Sequence, residues 1–151
     1  MATISAYVQA EGNSGNPGKK PYFVEKEVDL VAVGADPSAD DVIQVISIPA
    51  NTMVLTAGLE VTEVAVQNTG TDATADLGVA ADDDEWVAAF DIDGASVGDY
   101  APMAAAATPY VSGAAETLDV TVAGTGASFT AGKLRVFALL LDIDAIGDKS
   151  A

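Results

Sequence analysis

Short apolar alternations cut by turn-forming residues set what this chain can fold into, and residues 42–93 show the pattern best. The stretch opens VIQVISIPANTMVLTAGLEVTEVAVQN and continues TGTDATADLGVAADDDEWVAAFDID. Its first part places apolar residues at alternate positions and breaks at Ile48-Pro49-Ala50-Asn51-Thr52. Proline cannot donate to a sheet ladder and fixes its own φ, so a strand ends there and a tight turn follows. The second part runs into four consecutive acids, Asp82-Asp83-Asp84-Glu85, just before the sole tryptophan, Trp86. Nothing in this grammar is catalytic. It describes a β-rich body with anionic loops.

The remaining segments extend the pattern. Residues 22–33 read as a strand carrying Val24, Val28 and Leu30 among charges, and 42–48 as a strand apolar on both faces. Met53–Leu55 and Leu59–Val66 read as strand with a change of apolar phase between Val61 and Val64, the mark of a bulge. Ala73, Ala75, Leu77 and Val79 share one face. Trp86, Ala88, Phe90 and Ile92 share another, and Leu118, Val120 and Val122 alternate with Asp119 and Thr121. Leu134–Ile143 is apolar at nearly every position, as in a central strand or one covered by a neighbouring subunit. Ala101–Ala107, flanked by Pro102 and Pro109, reads as a loop with a short helical turn. About eight short strands separated by Gly, Asp and Thr turns predict an all-β, single-domain β-sandwich of jelly-roll type.

An N-terminal arm precedes this body. Residues 1–21 hold a short β-like stretch (Ile4, Tyr7, Val8) and then GNSGNPGKKP, dense in turn formers. The expected division is an arm over 1–21 and a sandwich domain over 22–151.

Size and composition permit such a fold. At 151 residues the chain is long enough to bury a core without staples, and half of its residues are apolar, which excludes a disordered acidic tail. Alanine and valine dominate, and small side chains bury less area at ~25 cal/mol per Å². Burial between subunits is the natural supplement, so an oligomer is expected.

The net charge of −17 narrows the partners. Lys19, Lys20 and Lys26 lie near one terminus and Lys133, Arg135 and Lys149 near the other, with eighteen acids and no base between Lys26 and Lys133. Such a body repels nucleic-acid phosphates and anionic lipid, because both are bound by Lys and Arg displacing counterions. Neither nucleic acid nor membrane is an expected partner. The opening MATISAYVQAEG has no charged region followed by a long apolar run, and Val136–Leu141 is too short to span a bilayer. A soluble product made in a cytoplasm is the reading. With no cysteine and no histidine, thiolate metal sites, imidazole bases and Cys/His or Ser/His nucleophiles are absent. No cofactor and no enzymatic activity are expected.

Two constellations call for a chemical reading. The acid run, with Asp91 and Asp93 one short strand away, makes Asp82, Asp84, Asp91 and Asp93 candidate calcium or magnesium ligands. It lacks the spacing of an EF-hand loop, and consecutive acids on a strand or turn point in different directions. A solvated hairpin turn that protects a sheet edge is the competing reading. A glycosidase pair would need a cleft with stacking aromatics, whereas Trp86 falls at an inward phase. Lys19-Lys20, two cations on an otherwise uncharged segment, form an electrostatic anchor or a pair of solvated lysines.

The succession Ile48-Pro49-Ala50-Asn51-Thr52, Gly58-Leu59-Glu60-Val61, Ala75-Asp76-Leu77-Gly78-Val79 and the acid run into Trp86-Val87-Ala88 resembles small virion proteins of tailed bacteriophages, above all the capsid decoration, or cement, proteins. Lys133-Leu134-Arg135-Val136-Phe137-Ala138 looks like the closing strand of the same body, and the resemblance spans residues 42–143. It implies a non-enzymatic protein on the outer capsid surface, made in the host cytoplasm. Such a protein is a homotrimer that clamps adjacent major capsid protein subunits. On that reading Lys19, Lys20 and Tyr22 are capsid-contact candidates, and Leu134, Val136, Phe137, Leu139 and Leu141 are candidates for the subunit interface. Another virion part (a head-fibre base, neck or tail protein) and a calcium-dependent adhesion or carbohydrate-binding module remain as alternatives.

Overall fold

The structure is a computed structural model that describes residues 2–9, 20–101 and 109–143. Ten strands are present among them: β1 (Thr3–Gln9), β2 (Tyr22–Asp29), β3 (Val42–Ile48), β4 (Thr52–Gln67), β5 (Thr74–Val79), β6 (Asp82–Asp91), β7 (Tyr100–Ala101), β8 (Tyr110–Ser112), β9 (Glu116–Ala123) and β10 (Phe129–Asp142). They form two sheets. Sheet A has the order β1-β3-β9-β5-β6, and sheet B has β2-β10-β4-β7, with β8 also paired to β4.

The pairing is nested. β2 pairs with β10, β3 with β9, β4 with β7 and β8, and β5 with its neighbour β6, all antiparallel. A chain folded double and then rolled so that its halves alternate between two sheets gives this arrangement, the jelly roll expected from the strand count. β1 is an addition to it, running parallel to β3. Residues 3–9 of the expected arm are therefore a strand of sheet A, and 10–19 lie outside the described residues.

The interior is aliphatic, as a chain with so few aromatics requires. Ile43, Ile46 and Ile48 of β3, Val54, Leu59 and Val61 of β4, Leu77 of β5, Leu118 and Val120 of β9, and Leu134, Val136 and Leu140 of β10 are fully buried between the sheets. At ~25 cal/mol per Å² this shared layer is the main source of stability. Trp86 is also fully buried, and its ring meets Tyr110 edge-on at 5.6 Å and 84°, tying β6 of sheet A to β8 of sheet B. The phenol of Tyr110 hydrogen-bonds Glu116 at 2.8 Å.

Local departures from the expected pattern have physical causes. β4 is one continuous strand that absorbs its phase change through irregular pairing with β10. The acid run is not the hairpin turn. Ala80 and Ala81 make the turn, and β6 begins at Asp82. Opposite Leu77 and Val79 the partners are Val87 and Asp82, so Asp83–Trp86 form an excursion that has no counterpart on β5. Gly78 permits it: a Cβ there would stand 2.0 Å from the Asp82 carbonyl oxygen. Farther along, Ala89 takes φ 47 between Val87 and Phe90, and its amide bonds the Asp76 carboxylate. That bulge leaves Ala88 exposed rather than inward. Of residues 101–107, Ala101 belongs to β7 and the others lie outside the described residues.

Candidate functional site

The two sheets of the sandwich differ in charge. The strands of sheet A carry Asp76, Asp82, Asp83, Asp84, Glu85, Asp91, Glu116 and Asp119 and no lysine or arginine. The strands of sheet B carry Glu25, Glu27, Asp29, Glu60, Glu63 and Asp142 together with Lys26, Lys133 and Arg135. With Lys20, just ahead of β2, these are all the cations among the described residues. The strand order explains the segregation, because the two lysine-bearing ends of the sequence pair with each other as β2 and β10.

Sheet B uses its cations across the strands. Arg135 of β10 pairs with Glu25 of β2 at 3.2 Å and with Glu60 of β4, and Lys133 pairs with Glu63 at 3.5 Å. Thr62 donates to Glu27 at 3.1 Å. Glu25, Glu60 and Glu63 are thus each paired with a cation.

Toward the other end of the same face the side chains turn apolar. Phe23 of β2 is 58% exposed and stacks on Phe137 of β10, centroids 6.2 Å apart and planes 24° off parallel. Leu139 lies opposite Phe23, Leu141 opposite Met53 of β4, and Met53 opposite Val111 of β8, which is 45% exposed. Pleating alternates these residues with core residues: Leu140 and Val54, their neighbours in the chain, are fully buried. The result is an apolar strip running from edge strand β2 across to β8.

This geometry divides the five expected interface residues. Leu134 and Val136 are fully buried in the core of their own chain, so they are not available to a partner. Phe137, Leu139 and Leu141 face outward and are half-buried. A run apolar at every position hides this alternation, because both faces of β10 are apolar. Phe23, Met53 and Val111 were not singled out from the sequence; isolated apolar residues on three other strands carry no pattern until the sheet order joins them.

Of the three capsid-contact candidates, Lys20 and Tyr22 fall at the start of β2, beside this strip. Lys20 is exposed, and Lys19 lies outside the described residues. Tyr22 is half-buried, opposite Leu140, and packs partly against the core. Burial and then the Asp142 charge raise the proton affinity of its phenol.

On sheet A, Asp82, Asp83 and Asp84 bring carboxylate oxygens within 4.8 Å of one another, all exposed. Hydrogen bonding with Asp82, then slight desolvation, then repulsion from Asp82, Asp83 and Asp76 raise the proton affinity of Asp84. Asp91 and Asp93 do not join them. Asp91 accepts from the Gly94 amide at 2.6 Å, and Asp93 accepts from the Ala73 amide at 2.9 Å and from Gln67 at 3.3 Å. The four candidate ligands are therefore split between two places, and three exposed carboxylates alone make a poor cage for a divalent cation.

Asp119 is a separate feature of sheet A. Only 4% exposed, it stands between Gln44 of β3 and Gly78 of β5, and its Oδ1 is among the buried oxygens lacking a hydrogen-bond partner. Burial, with a further push from Glu116, raises its carboxyl to about 6.

Gln67 gathers the loops at one end of the sandwich. Its amide nitrogen donates to Asp72 at 3.0 Å and to Asp93, and its carbonyl accepts from the Gly126 amide at 2.7 Å. Asp72 also accepts from the amide and hydroxyl of Thr125 at 3.1 and 2.9 Å. These bonds fix the β4–β5 and β9–β10 connections to each other. They are structural, and nothing in them is arranged as an acid–base or nucleophilic pair.

No family model and no curated protein matches the chain. Solved structures do. A chain of the cyanophage Pam1 capsid asymmetric unit is 20% identical with a TM-score of 0.63, covering 87% of this chain and 90% of that one. A chain of the Ralstonia phage GP4 capsid is 18% identical at 0.60, covering 93% and 100%. One from the acidic stable capsid of Helicobacter pylori bacteriophage KHP30 is 16% identical at 0.57, covering 80% and 86%. At these identities the likeness is one of fold: the jelly roll built here is a fold also found in chains of three phage capsids, over 80–93% of this chain.

Proposed function

We propose that this chain is a non-enzymatic structural protein of a phage virion, a decoration protein that binds the outer surface of the head as a homotrimer and stabilises contacts between major capsid protein subunits. The whole-length likeness to chains of three phage capsids carries the reading. High coverage in both directions means that the matched chains are of comparable length, which suits a small capsid component of this size. The site chemistry points the same way. Among the described residues the polar networks around Gln67 and Arg135 stitch strands and loops, and the exposed features include an acid-only sheet and an apolar strip, the equipment of an assembling surface.

On this reading the acidic sheet A faces solvent, Lys19, Lys20 and Tyr22 contact the shell, and Phe137, Leu139 and Leu141 contribute to the subunit seam. Adding the purified chain to undecorated heads and sedimenting them tests the function: saturable co-sedimentation is expected, and its absence rejects the reading. Removal of residues 1–21 would delete β1 as well as the lysines, so the arm is better tested by Lys19→Glu with Lys20→Glu. Unchanged occupancy would rule those cations out.

A further inference from the structure

We infer that the apolar strip on the outer face of sheet B is a contact with a second copy of this chain, made head to tail, the Phe23 end of one copy against the Val111 end of the next. The inference deepens the trimer of the proposed function and rests on that reading for the closed ring. The choice of face and of occupant rests on the residues themselves.

Charge selects the face. Every copy carries −17, so two copies can approach only where that charge is locally offset. Sheet A offers acids alone, and a second sheet A would repel it. Sheet B is self-complementary in sign, with Arg135 and Lys133 interleaved among Glu25, Glu60 and Glu63, and with Lys20 and Asp142 both flanking its apolar end. A mixed-sign rim around apolar side chains is a surface that another copy of itself can meet with less repulsion than the acid-only sheet A.

Shape selects the mode. The strip reaches both edges of the sheet, Phe23 on β2 at one side and Val111 on β8 at the other. A heterologous contact needs two different surfaces on each subunit, and these two ends supply them. Phe23, held by its stack on Phe137, is the anchor: a preordered aromatic loses little freedom when covered. Its exposure also makes it safe to replace without opening the core.

The test is sedimentation velocity and light scattering on the full chain, comparing wild type with Phe23→Glu, Val111→Glu, and the sheet A control Asp83→Lys, each checked for an unchanged circular dichroism spectrum. Head-to-tail packing predicts an oligomeric wild type and control. Each strip variant, though altered at opposite edges, should weaken self-association about 100-fold or more. A wild type that is monomeric overturns the inference, since the strip is then covered from within the chain or by another partner. Strip variants that stay oligomeric but lose binding to undecorated heads also overturn it, and assign the strip to the shell. A wild-type oligomer that the strip variants disrupt, but that never binds heads, leaves the inference standing while the decoration reading fails.

Discussion

The ring of Phe137 lies directly over Gly58, so close that a Cβ on Gly58 would stand 2.6 Å from Phe137 Cζ and 2.9 Å from the carbonyl oxygen of Ala101. The ring can give way, but the carbonyl belongs to the neighbouring strand β7 and cannot move without disturbing its ladder with β4. Gly58→Ala is therefore expected to lower stability by about 1–3 kcal/mol through overpacking. Urea melts measure it. Adding Phe137→Leu should recover only part of the loss, because the clash with the Ala101 carbonyl remains.

The meeting of Trp86 and Tyr110 joins the two sheets at an edge where no ladder runs between them. Trp86→Ala should cost about 3–5 kcal/mol, the range for truncating a buried aromatic. Tyr110→Phe, which keeps the ring and loses only the bond to Glu116, should cost about 1 kcal/mol. As the sole tryptophan and fully buried, Trp86 should emit at short wavelength and resist acrylamide quenching until the sandwich unfolds.

Much of this fold was legible because strands announce themselves by alternation. β3 occupies the expected residues 42–48, and the jelly roll follows from strand number and turn spacing. The misreadings occur where local chemistry was silent or misleading. Four acids look like a solvated turn, yet the turn is Ala80-Ala81, and only the bare face of Gly78 allows the acids to bulge across it. Ala89 at positive φ gives no signal, since alanine is not a residue that marks that conformation. Strand β1 coincides with the β-like stretch around Ile4, Tyr7 and Val8, but its place beside β3 left no trace, because a parallel partner distant in sequence leaves no hairpin signature. The outer strip was half visible: β10 stood out by its continuous apolar run, whereas Phe23, Met53 and Val111 become one surface only once β2, β10, β4 and β8 are side by side.

Gln67 is expected to be the most sensitive polar residue. It is buried at the end of β4 and holds Asp72, Asp93 and the Gly126 amide together. Gln67→Ala leaves that amide without its acceptor and should cost about 1–3 kcal/mol. Gln67→Glu places a third carboxylate against two others, so its penalty should be larger at pH 7 than at pH 4. Thermal melts of both variants at the two pH values check this.

The three clustered carboxylates on β6 should not make the protein calcium-dependent. Asp82, Asp83 and Asp84 are all exposed, and Asp91 and Asp93 are engaged elsewhere. The melting temperature should be the same in EDTA and in millimolar calcium, by differential scanning calorimetry. A clear rise with calcium would revive the adhesion-module alternative.

Asp119 should make the folded chain more stable in mild acid than at neutral pH. Its carboxyl is raised to about 6 by burial in the folded state, against an ordinary value of 3.8. The folded form thus binds this proton more tightly than the unfolded form does. The stabilisation is fully present below the unfolded value, fades as pH rises toward about 6, and is gone above it. Asp76, Asp84 and Glu85 on the same sheet shift in the same direction, while Asp72, held low by Gln67 and Thr125, opposes them from the exposed loop. For Asp119 alone the effect is on the order of 2 kcal/mol between pH 4 and pH 7. Chemical denaturation across that range should show a stability that falls with rising pH, and Asp119→Asn should flatten the slope by removing the buried charge. A variant whose pH profile runs parallel to the wild type would show that Asp119 carries no net proton uptake on folding.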